Sequence, residues 1–438
     1  MKDELIVTGG TVLTMVPGAD PIPDGAVAVR SREIVAVGPA SDLAASFPDA
    51  LSLYADGGLI LPGFVNTHTH LGMCAIRGIA DDLPLMTWLE EHIWPAERAM
   101  MDLGMTALGT RLAAAESLLA GVTCVCDMYF HALTVVEACR EVGIRAVVPE
   151  SLIDFPTPAS PTPEVALARQ RELLTIMRDD PLIVPAVAAH APYSVSAANL
   201  VKEAELAEEF DAPLIIHVAE TRWESEKIRA EKGSSPVKYL ADLGILTERT
   251  VAAHCVHVDA QDLDLLLEFN AGVASNPVSN LKLSSGIAPL PQMISRGIKV
   301  GLGTDGAASN NTLDLLRDAQ LAALLYKGVT GDPTCLPATK LAEVLTLDGA
   351  RVLGLADRIG SLEPGKRADL VCIGLDRPHA WPVYNPFSHL AYAARAADVM
   401  HVVVDGRIVV QNRQLKTIDI TALRGEAAQA AARVRAAL

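Results

Sequence analysis

Short apolar runs alternate with longer amphipathic stretches through the middle of the chain, between residues 63 and 306. The apolar runs predict eight β-strands, and several are apolar without interruption, as expected for strands that are covered on both faces. The predicted strands span residues 63–70, 123–130, 145–152, 183–193, 212–221, 250–258, 272–280 and 300–306.

Helical patterns separate these strands. Residues 103–119 are rich in Ala and Leu, and Gly121 follows as a stop signal. A second helix is predicted to begin with Thr162 as its cap and Pro163 in its first position, and to end at residue 178. Four more helices are predicted at 197–210, 235–243, 259–270 and 289–296. Eight strand–helix units predict an α/β protein with a TIM-like (β/α)₈ barrel, whose chemistry lies at the C-terminal strand ends.

The two ends of the chain follow a different pattern. Short strands are predicted at 5–7, 11–15, 25–30, 33–37 and 51–55, and again at 368–373, 400–404 and 407–410. Asp405-Gly406 between two apolar runs indicates a β-hairpin. We therefore expect a small flanking β-sandwich built from both termini, with residues 1–61 and 365–438 around a barrel at 62–364. The last helix, 418–438, is expected to pack on the outside.

Composition narrows the function classes. The net charge of −17, from 36 basic and 53 acidic residues among 438, disfavours nucleic acid and anionic membranes as partners. No apolar run is long enough to span a bilayer, and the first residues lack a signal-peptide pattern. The seven cysteines show no disulfide spacing, which predicts a reduced, cytoplasmic protein. A homo-oligomer is the general expectation for such a chain.

Polar residues with metal-ligating chemistry lie at the C-terminal ends of five of the predicted strands. They are His68 and His70, then His190, then His217 with Glu220, then His254, and finally Asp305. Side chains two residues apart on a strand share a face, so His68 and His70 can reach one ion. A few imidazoles, one carboxylate and an open position suit a divalent metal, and His68, His70, His217 and Asp305 supply that set. Each residue singly could equally be structural.

Two further residues could carry protons. Glu220 lies three residues after His217, so it is expected in the turn beyond the strand, folded back over the site. His254 could orient or polarise an attacking water, or hold the leaving group. Residues 183–193 contain no lysine that could bridge two metals, which favours one metal ion over two.

The motifs that carry these residues resemble those of a known superfamily. Pro62-Gly-Phe-Val-Asn-Thr-His-Thr-His70, His217-x-x-Glu220, His254-Cys255 and Gly303-Thr-Asp-Gly306 are similar to motifs of the amidohydrolase superfamily, in its cytosine-deaminase-like and chlorohydrolase-like branch. The 5′-methylthioadenosine/S-adenosylhomocysteine deaminases are more similar still. Their resemblance rests on Arg77-Gly-Ile-Ala-Asp-Asp-Leu-Pro-Leu-Met-Thr-Trp88, Trp94-Pro-Ala-Glu97, Asp127-Met-Tyr-Phe130, Ser279-Asn-Leu-Lys-Leu283 and Asp305-Gly-Ala-Ala-Ser-Asn-Asn311.

The resemblance implies hydrolytic deamination of adenosine-type nucleosides to the inosine analogue and ammonia. The expected substrates are 5′-methylthioadenosine, S-adenosylhomocysteine, adenosine or 5′-deoxyadenosine. It implies one Zn²⁺ per subunit on His68, His70, His217 and Asp305, with Fe²⁺ or Mn²⁺ as alternatives. Glu220 would shuttle protons, His254 would help activate water, and Asp305 would accept a proton from that water. For substrate binding, it implies His190 and Ser309 at the purine, Glu97 at the ribose hydroxyls and Trp88 in the pocket wall.

At two places the sequence adds a structural expectation to the resemblance. Trp88 and Glu97 are nine residues apart and would face opposite ways on one continuous helix, so Pro95 is expected to break the helix between them. Some relatives carry an arginine near the end of strand three, where this chain has Glu150, with Asp154 nearby. A carboxylate there would repel S-adenosylhomocysteine, so neutral 5′-substituted adenosines are the expected preference.

Other functions fit parts of the same pattern. A related deaminase or chlorohydrolase acting on a pterin, guanine or s-triazine would use nearly the same metal ligands. A metal-free barrel kept as a scaffold would be expected to lack a ligand, and none is missing.

Overall fold

The computed structural model describes residues 4–437 and contains two β-sheets with helices around them. The strands are β1 (Glu4–Val12), β2 (Ile22–Arg30), β3 (Glu33–Pro39), β4 (Leu51–Tyr54), β5 (Leu59–Pro62), β6 (Phe64–Thr69), β7 (Val122–Asp127), β8 (Arg145–Leu152), β9 (Ile183–Ala189), β10 (Leu214–Val218), β11 (Thr250–His254), β12 (Gly272–Ser275), β13 (Lys299–Leu302), β14 (Leu370–Ile373), β15 (Val399–Val404), β16 (Arg407–Gln411) and β17 (Gln414–Leu415).

The helices lie between the strands and after them. They are α1 (Ala40–Ser46), α2 (Leu85–Thr87), α3 (Trp94–Met100), α4 (Leu103–Leu119), α5 (Ala132–Val142), α6 (Pro163–Ile176), α7 (Ala197–Phe210), α8 (Arg222–Lys232), α9 (Pro236–Asp242), α10 (Ala260–Glu268), α11 (Pro277–Lys282), α12 (Leu290–Arg296), α13 (Ala307–Asn310), α14 (Leu315–Thr330), α15 (Ala338–Leu345), α16 (Leu347–Val352), α17 (Pro386–Tyr392) and α18 (Ile420–Ala437).

The eight predicted central strands are confirmed as the parallel sheet β6 to β13, in which each strand pairs with the next in sequence. Its two ends meet and nearly close the barrel: the Asp305 N–H donates to the His68 carbonyl at 3.0 Å. The Asn66 side chain donates to the Thr304 hydroxyl at 2.8 Å across the same seam. The strands are almost wholly buried because apolar side chains fill the barrel and also face the surrounding helices.

The second sheet is assembled from both ends of the chain, as predicted. Its strand order is β17-β16-β15-β14-β5-β1-β2-β3, with β4 paired to β1, so the nine strands form a single hydrogen-bonded sheet. The predicted hairpin between β15 and β16 is confirmed, with Val404 paired to Arg407. Asp405 and Gly406 both have positive φ, 51° and 77°, as a two-residue turn of this handedness requires.

Helix α18 packs against α4, as predicted for a C-terminal helix on the outside of the barrel. Val434 near its end belongs to the same apolar cluster as Trp88, Leu89 and Ile93. No helix among residues 4–437 is both long enough and apolar enough to cross a bilayer.

The expected break at Pro95 is wrong. A π-helix over Trp88–Ile93 runs directly into α3, and Thr87, Ile93 and Trp94 all keep helical backbone angles. Pro95 lies in the first turn of α3, where a missing backbone N–H is tolerated, so the helix continues through the proline. The π-turn before it changes the angular offset between Trp88 and Glu97, which both line one cavity at the C-terminal end of the barrel.

Candidate active site

Four predicted metal ligands converge at the C-terminal ends of their strands. His68 lies on β6 and His70 follows it, His217 lies on β10, and Asp305 comes after β13 with φ of 60°. The Nε2 atoms of His68 and His217 are 3.2 Å apart. Oδ1 of Asp305 is 3.1 Å from Nε2 of His70 and 3.7 Å from Nε2 of His68.

Backbone carbonyls fix the tautomer of two of these histidines. Nδ1 of His217 donates to the His190 carbonyl at 2.8 Å, and Nδ1 of His70 donates to the Met128 carbonyl. Because a carbonyl can only accept, each Nδ1 carries a proton and each ring points its Nε2 toward the centre. Nδ1 of His68 has no hydrogen-bond partner among the described residues.

These donor atoms could hold a divalent cation. Ligands about 2.1 Å from a tetrahedral zinc lie roughly 3.4 Å from one another, close to the three separations given above. His68 belongs to two groups of mutually close ligand atoms, one with His70 and Asp305 and one with His217 and His254. Lone pairs this close repel each other and the Asp305 carboxylate unless a cation lies between them. Burial, with the neighbouring imidazoles, lowers the pKa of His68 and of His217 and so favours their neutral, ligating forms.

Asp305 is held by two serine hydroxyls. Ser279 Oγ and Ser309 Oγ donate to Asp305 Oδ2 at 2.6 and 2.8 Å, which leaves Oδ1 facing the histidines. Ser309, expected at the purine, is 1% exposed and does not line the cavity, because its position four residues after Asp305 turns the hydroxyl back onto that carboxylate. Ser279 was in a quoted motif, yet the sequence analysis gave it no role.

Glu220 and His254 face each other beside the metal-ligand group. Ala219, with φ of 51°, reverses the chain after β10 and brings Glu220 into the cavity, as the sequence predicted. Glu220 Oε2 is 3.9 Å from His254 Nε2, and Glu220 Oε1 accepts from Ser285 Oγ at 3.2 Å. Burial raises the pKa of Glu220, which favours a protonated carboxyl.

Asn280 sets the tautomer of His254. Its Oδ1 lies 2.8 Å from His254 Nδ1, and since an amide oxygen only accepts, the proton is on Nδ1. His254 Nε2 therefore presents a lone pair to the cavity. This arrangement can accept a proton or a hydrogen bond at His254 and donate a proton from Glu220.

These groups open into a cavity at the C-terminal end of the barrel. Apolar side chains form most of its wall away from the metal ligands: Leu85, Trp88, Leu89, Trp94, Phe130 and Ile153. The Trp88 indole N–H donates to the Ala80 carbonyl at 3.1 Å, so Trp88 both packs in the core and lines the cavity. His190 also lines it, with Nδ1 2.7 Å from Ser194 Oγ.

Glu97 and Tyr129 add two polar groups to the cavity wall. Both side chains are buried, and neither Glu97 Oε1 nor the Tyr129 hydroxyl has a partner within the described part of the chain. Burial raises the pKa of Glu97 to about 7. A Cβ on Gly72 would lie 2.3 Å from the Tyr129 ring, so this glycine makes room for it. Tyr129 belongs to the motif Asp127-Met-Tyr-Phe130 but had no expected role; its place at the C-terminal end of the predicted strand 123–130 was the available signal.

Glu150 does not face the cavity, although the sequence predicted that it would repel a substrate carboxylate there. Its carboxylate accepts from the backbone N–H of Ala132 at 2.8 Å and of His131 at 3.3 Å, at the start of α5 and outside the cavity. Side chains alternate along β8, so Ser151 lines the cavity in its place. The expected preference for neutral 5′ groups therefore does not depend on Glu150. It depends on the cavity wall, where none of the described lining residues is Lys or Arg.

Asp154 is also engaged elsewhere. It accepts from the Ser196 backbone and the Asn199 side chain at the start of α7. Neither carboxylate of this neighbourhood therefore faces a ligand in the cavity.

Known proteins are similar to this chain over most of its length. The model of the amidohydrolase family matches residues 59–409, and that of an imidazolonepropionase-like composite domain of bacteria matches residues 25–50. A 5-methylthioadenosine/S-adenosylhomocysteine deaminase of Syntrophobacter fumaroxidans is 46% identical, over 96% of this chain and 95% of the relative. One from Thermodesulfovibrio yellowstonii is 43% identical, over 99% of this chain and 100% of the relative.

Solved structures agree over nearly the whole length. An adenosine deaminase from Xanthomonas campestris with bound zinc superposes with a TM-score of 0.97 at 40% identity, covering 99% of this chain and 98% of that one. A triazine hydrolase from Arthrobacter aurescens gives a TM-score of 0.89 at 24% identity, covering 98% of this chain and 99% of that one. The second likeness is one of fold alone.

Proposed function

Since the chain belongs to the amidohydrolase family, we propose that it is a metal-dependent aminohydrolase that converts adenosine-type nucleosides into inosine analogues and ammonia. The observation that carries the proposal is a protonatable Glu220 facing His254, beside three histidines and Asp305, in an otherwise largely apolar cavity. The two deaminase relatives at 43% and 46% identity and the adenosine deaminase structure support the same reaction class.

We propose that His68, His70, His217 and Asp305 hold one Zn²⁺, with Fe²⁺ and Mn²⁺ as the alternatives to test. When bound, such a cation lowers the pKa of water to about 7 and so makes a nucleophile available at neutral pH. The ring tautomers and atom separations described above support this ligand set.

Three side chains beside the proposed metal position take part in the proton transfers, each with a different role. Glu220 donates a proton to ring nitrogen N1, which makes C6 of the purine electrophilic. His254 Nε2 accepts a hydrogen bond from the attacking water and orients it, while Asp305 Oδ1 takes a proton from that water. The water oxygen bonds to C6 and the C6–N bond breaks. One of the water protons leaves in ammonia, the other restores Glu220, and N1 keeps the proton it received.

Substrate recognition follows from the rest of the cavity. Glu97 is proposed to accept from the ribose hydroxyls, next to the Tyr129 hydroxyl, which also lacks a partner among the described residues. His190 is proposed to contact the purine, and Trp88 contributes to the apolar wall. None of the described residues in the cavity wall carries a positive charge that could pair with a carboxylate on the 5′ group. We therefore propose that 5′-methylthioadenosine and 5′-deoxyadenosine are better substrates than S-adenosylhomocysteine.

An ammonia-release panel tests the function. It compares 5′-methylthioadenosine, 5′-deoxyadenosine, adenosine and S-adenosylhomocysteine with guanine, a pterin and an s-triazine, and follows conversion to the inosine analogue by absorbance. The neutral 5′-substituted nucleosides are expected to give the highest kcat/KM. Turnover of only a triazine, pterin or guanine would assign another heterocycle to the site, and an equal or higher kcat/KM for S-adenosylhomocysteine would reject the proposed 5′ preference.

Metal removal tests the cofactor. Activity is expected to disappear after chelation and to return with added Zn²⁺ in proportion to one bound ion per subunit. Parallel reconstitution with Fe²⁺ and Mn²⁺ decides between the candidate metals. Full turnover by metal-free protein would contradict the proposed ligand set.

The compartment and the assembly also remain proposals. All seven cysteines are free thiols, which supports a reducing, cytoplasmic location. The expected homo-oligomer is checked by light scattering on the purified chain.

A further inference from the structure

A second buried glutamate lies one helical turn beyond Glu220 and has no part in the chemistry above. Glu224 is in the first turn of α8 and is 1% exposed. Its Oε1 accepts from the Ala219 backbone N–H and its Oε2 from the Glu220 backbone N–H, both at 2.9 Å. One carboxylate thus binds the two consecutive N–H groups that lead into the proposed proton donor.

The turn that these bonds hold is not one the backbone adopts freely. Ala219 has φ of 51°, in the left-handed region, where the Cβ of an alanine comes too close to the following carbonyl oxygen. The Ala219 carbonyl is held from the opposite side, where it accepts from the Val256 and His257 N–H groups at 3.1 and 2.8 Å. Glu224 therefore completes a clamp on both polar groups of this peptide segment.

Glu224 is itself fixed in place. Its backbone N–H donates to Oγ1 of Thr221, the N-cap of α8, at 3.2 Å. In an ordinary capping box the carboxylate returns to the N–H of the cap residue. Here it reaches one and two residues further back, to the segment that carries Glu220. Through these hydrogen bonds, the first turn of α8 holds the backbone that places the Glu220 side chain in the cavity.

We propose that Glu224 is a positioning residue, which sets the orientation of Glu220 by holding the Ala219–Glu220 backbone. The inference rests on the proposed function, because it assigns Glu220 as the proton donor. Misplacing a reacting group by about 1 Å can cost about 100-fold in rate. Glu224→Ala, which removes both acceptors, is therefore expected to lower kcat about 100-fold, and Glu224→Gln, which keeps one acceptor, about 10-fold, each with little change in KM.

A double-mutant cycle with Glu220→Gln provides the decisive measurement. If Glu224 acts through Glu220, Glu224→Gln causes no further loss of kcat in the Glu220→Gln background. Losses that multiply in the double variant would overturn the proposal, as would wild-type kcat in both Glu224 variants or a loss confined to KM. Metal content is measured for every variant, and a Glu224→Gln protein that has lost its metal would also overturn it.

The matched control is Asp259→Ala. Asp259 caps α10, the second helix after α8, by accepting from the Gln261 and Asp262 N–H groups. Its removal is expected to lower Tm while leaving kcat at the wild-type value, which separates a general loss of helix capping from a specific effect on Glu220. Should Glu224→Ala fail to fold, Glu224→Gln carries the test.

Amide hydrogen exchange on the unaltered enzyme adds a second check: slow exchange at Ala219 and Glu220 is expected, and fast exchange would contradict the clamp.

These results are distinguishable from failure of the proposed function. A wild-type enzyme that releases no ammonia from any nucleoside would reject the function itself. An active wild type whose Glu224 variants are also fully active would reject only the positioning role.

Discussion

Glu220 is the residue whose environment most directly determines the proposed reaction. It is 6% exposed, and its described contacts in the cavity are a serine hydroxyl and an imidazole rather than a fixed positive charge. Burial disfavours the ionised form of a carboxyl group, which is the state a proton donor must avoid before the reaction. The buried position of Glu220 thus supplies a proton donor from a protein side chain.

Glu220→Gln is expected to lower kcat about 10²- to 10⁴-fold, because an amide cannot donate the proton that activates the purine ring. The pKa of Glu220 is raised, so the active protonated form persists to a higher pH than for an exposed glutamate and is lost as pH rises through that pKa. Wild-type kcat should therefore fall on the alkaline side, and the residual kcat of the variant should lack that limb.

Profiles of kcat against pH for both proteins, with metal content determined at each pH, check this expectation. An unchanged alkaline limb in Glu220→Gln would assign it to another group. A variant with wild-type kcat would remove Glu220 from the mechanism.

At the level of helices and strands, the hydrophobic pattern predicted the type of element well and its C-terminal end less well. Strand β8 and helix α4 have the predicted bounds, 145–152 and 103–119. The run 183–193 was predicted as one strand, but β9 ends at Ala189. Residues that follow it, such as Ala191, stay fully buried around the site, so an apolar pattern continues where the strand has stopped.

The same limit explains which site residues could be anticipated. The metal ligands and Glu220 lie at the C-terminal ends of predicted strands, and the structure brings them together. Glu150 was misplaced because β8 is buried on both faces, so the pattern alone does not show which alternate side chains face the cavity. Ser309 and the π-turn after Trp88 depend on local backbone geometry that no spacing rule conveys.

Helices α6 and α7 are joined to the barrel by a buried polar pair. Gln170 Nε2 donates to the Glu150 carbonyl at 2.7 Å and to Glu203 Oε1 at 3.1 Å. Glu203 is fully buried, and its Oε2 has no partner within residues 4–437. Burial raises the pKa of Glu203 well above the usual value, so the folded protein retains a proton that the unfolded chain releases.

Glu203→Gln is expected to stabilise the protein increasingly as pH rises. Between the unfolded pKa near 4.5 and the higher folded pKa, the native state binds the extra proton, so wild-type stability falls with rising pH while the amide does not titrate. Urea unfolding at pH 5, 6.5 and 8 measures the difference. The exposed Glu205 on the same helix supplies the control Glu205→Gln, which should show no such trend. A difference that is constant with pH would mean that Glu203 is ionised in the fold.

The barrel and the second sheet are connected by a buried cluster of charges far from the cavity. Arg145 opens β8, at the strand end opposite the site, and is 1% exposed. Its guanidinium donates to both oxygens of Asp369 at 2.6 and 3.0 Å and to Asp405 at 3.2 Å. Asp369 precedes β14 and Asp405 lies in the hairpin after β15, so one side chain of the barrel fixes two positions of the terminal sheet.

Arg145→Met is expected to destabilise the whole molecule by about 3–5 kcal/mol, because it leaves the buried Asp369 carboxylate without its counter-charge, whereas Asp405 keeps its contacts with Arg32 and Arg367. Activity per folded molecule should stay at the wild-type level, since no atom of this cluster lies at the cavity end of the barrel. Chemical denaturation gives the stability, and kcat is measured well below the transition. Arg171→Met removes an exposed pair with Glu209 and should leave Tm near the wild-type value. A fall in kcat without a fall in stability would instead mean that the terminal sheet controls the geometry of the active site through Arg145.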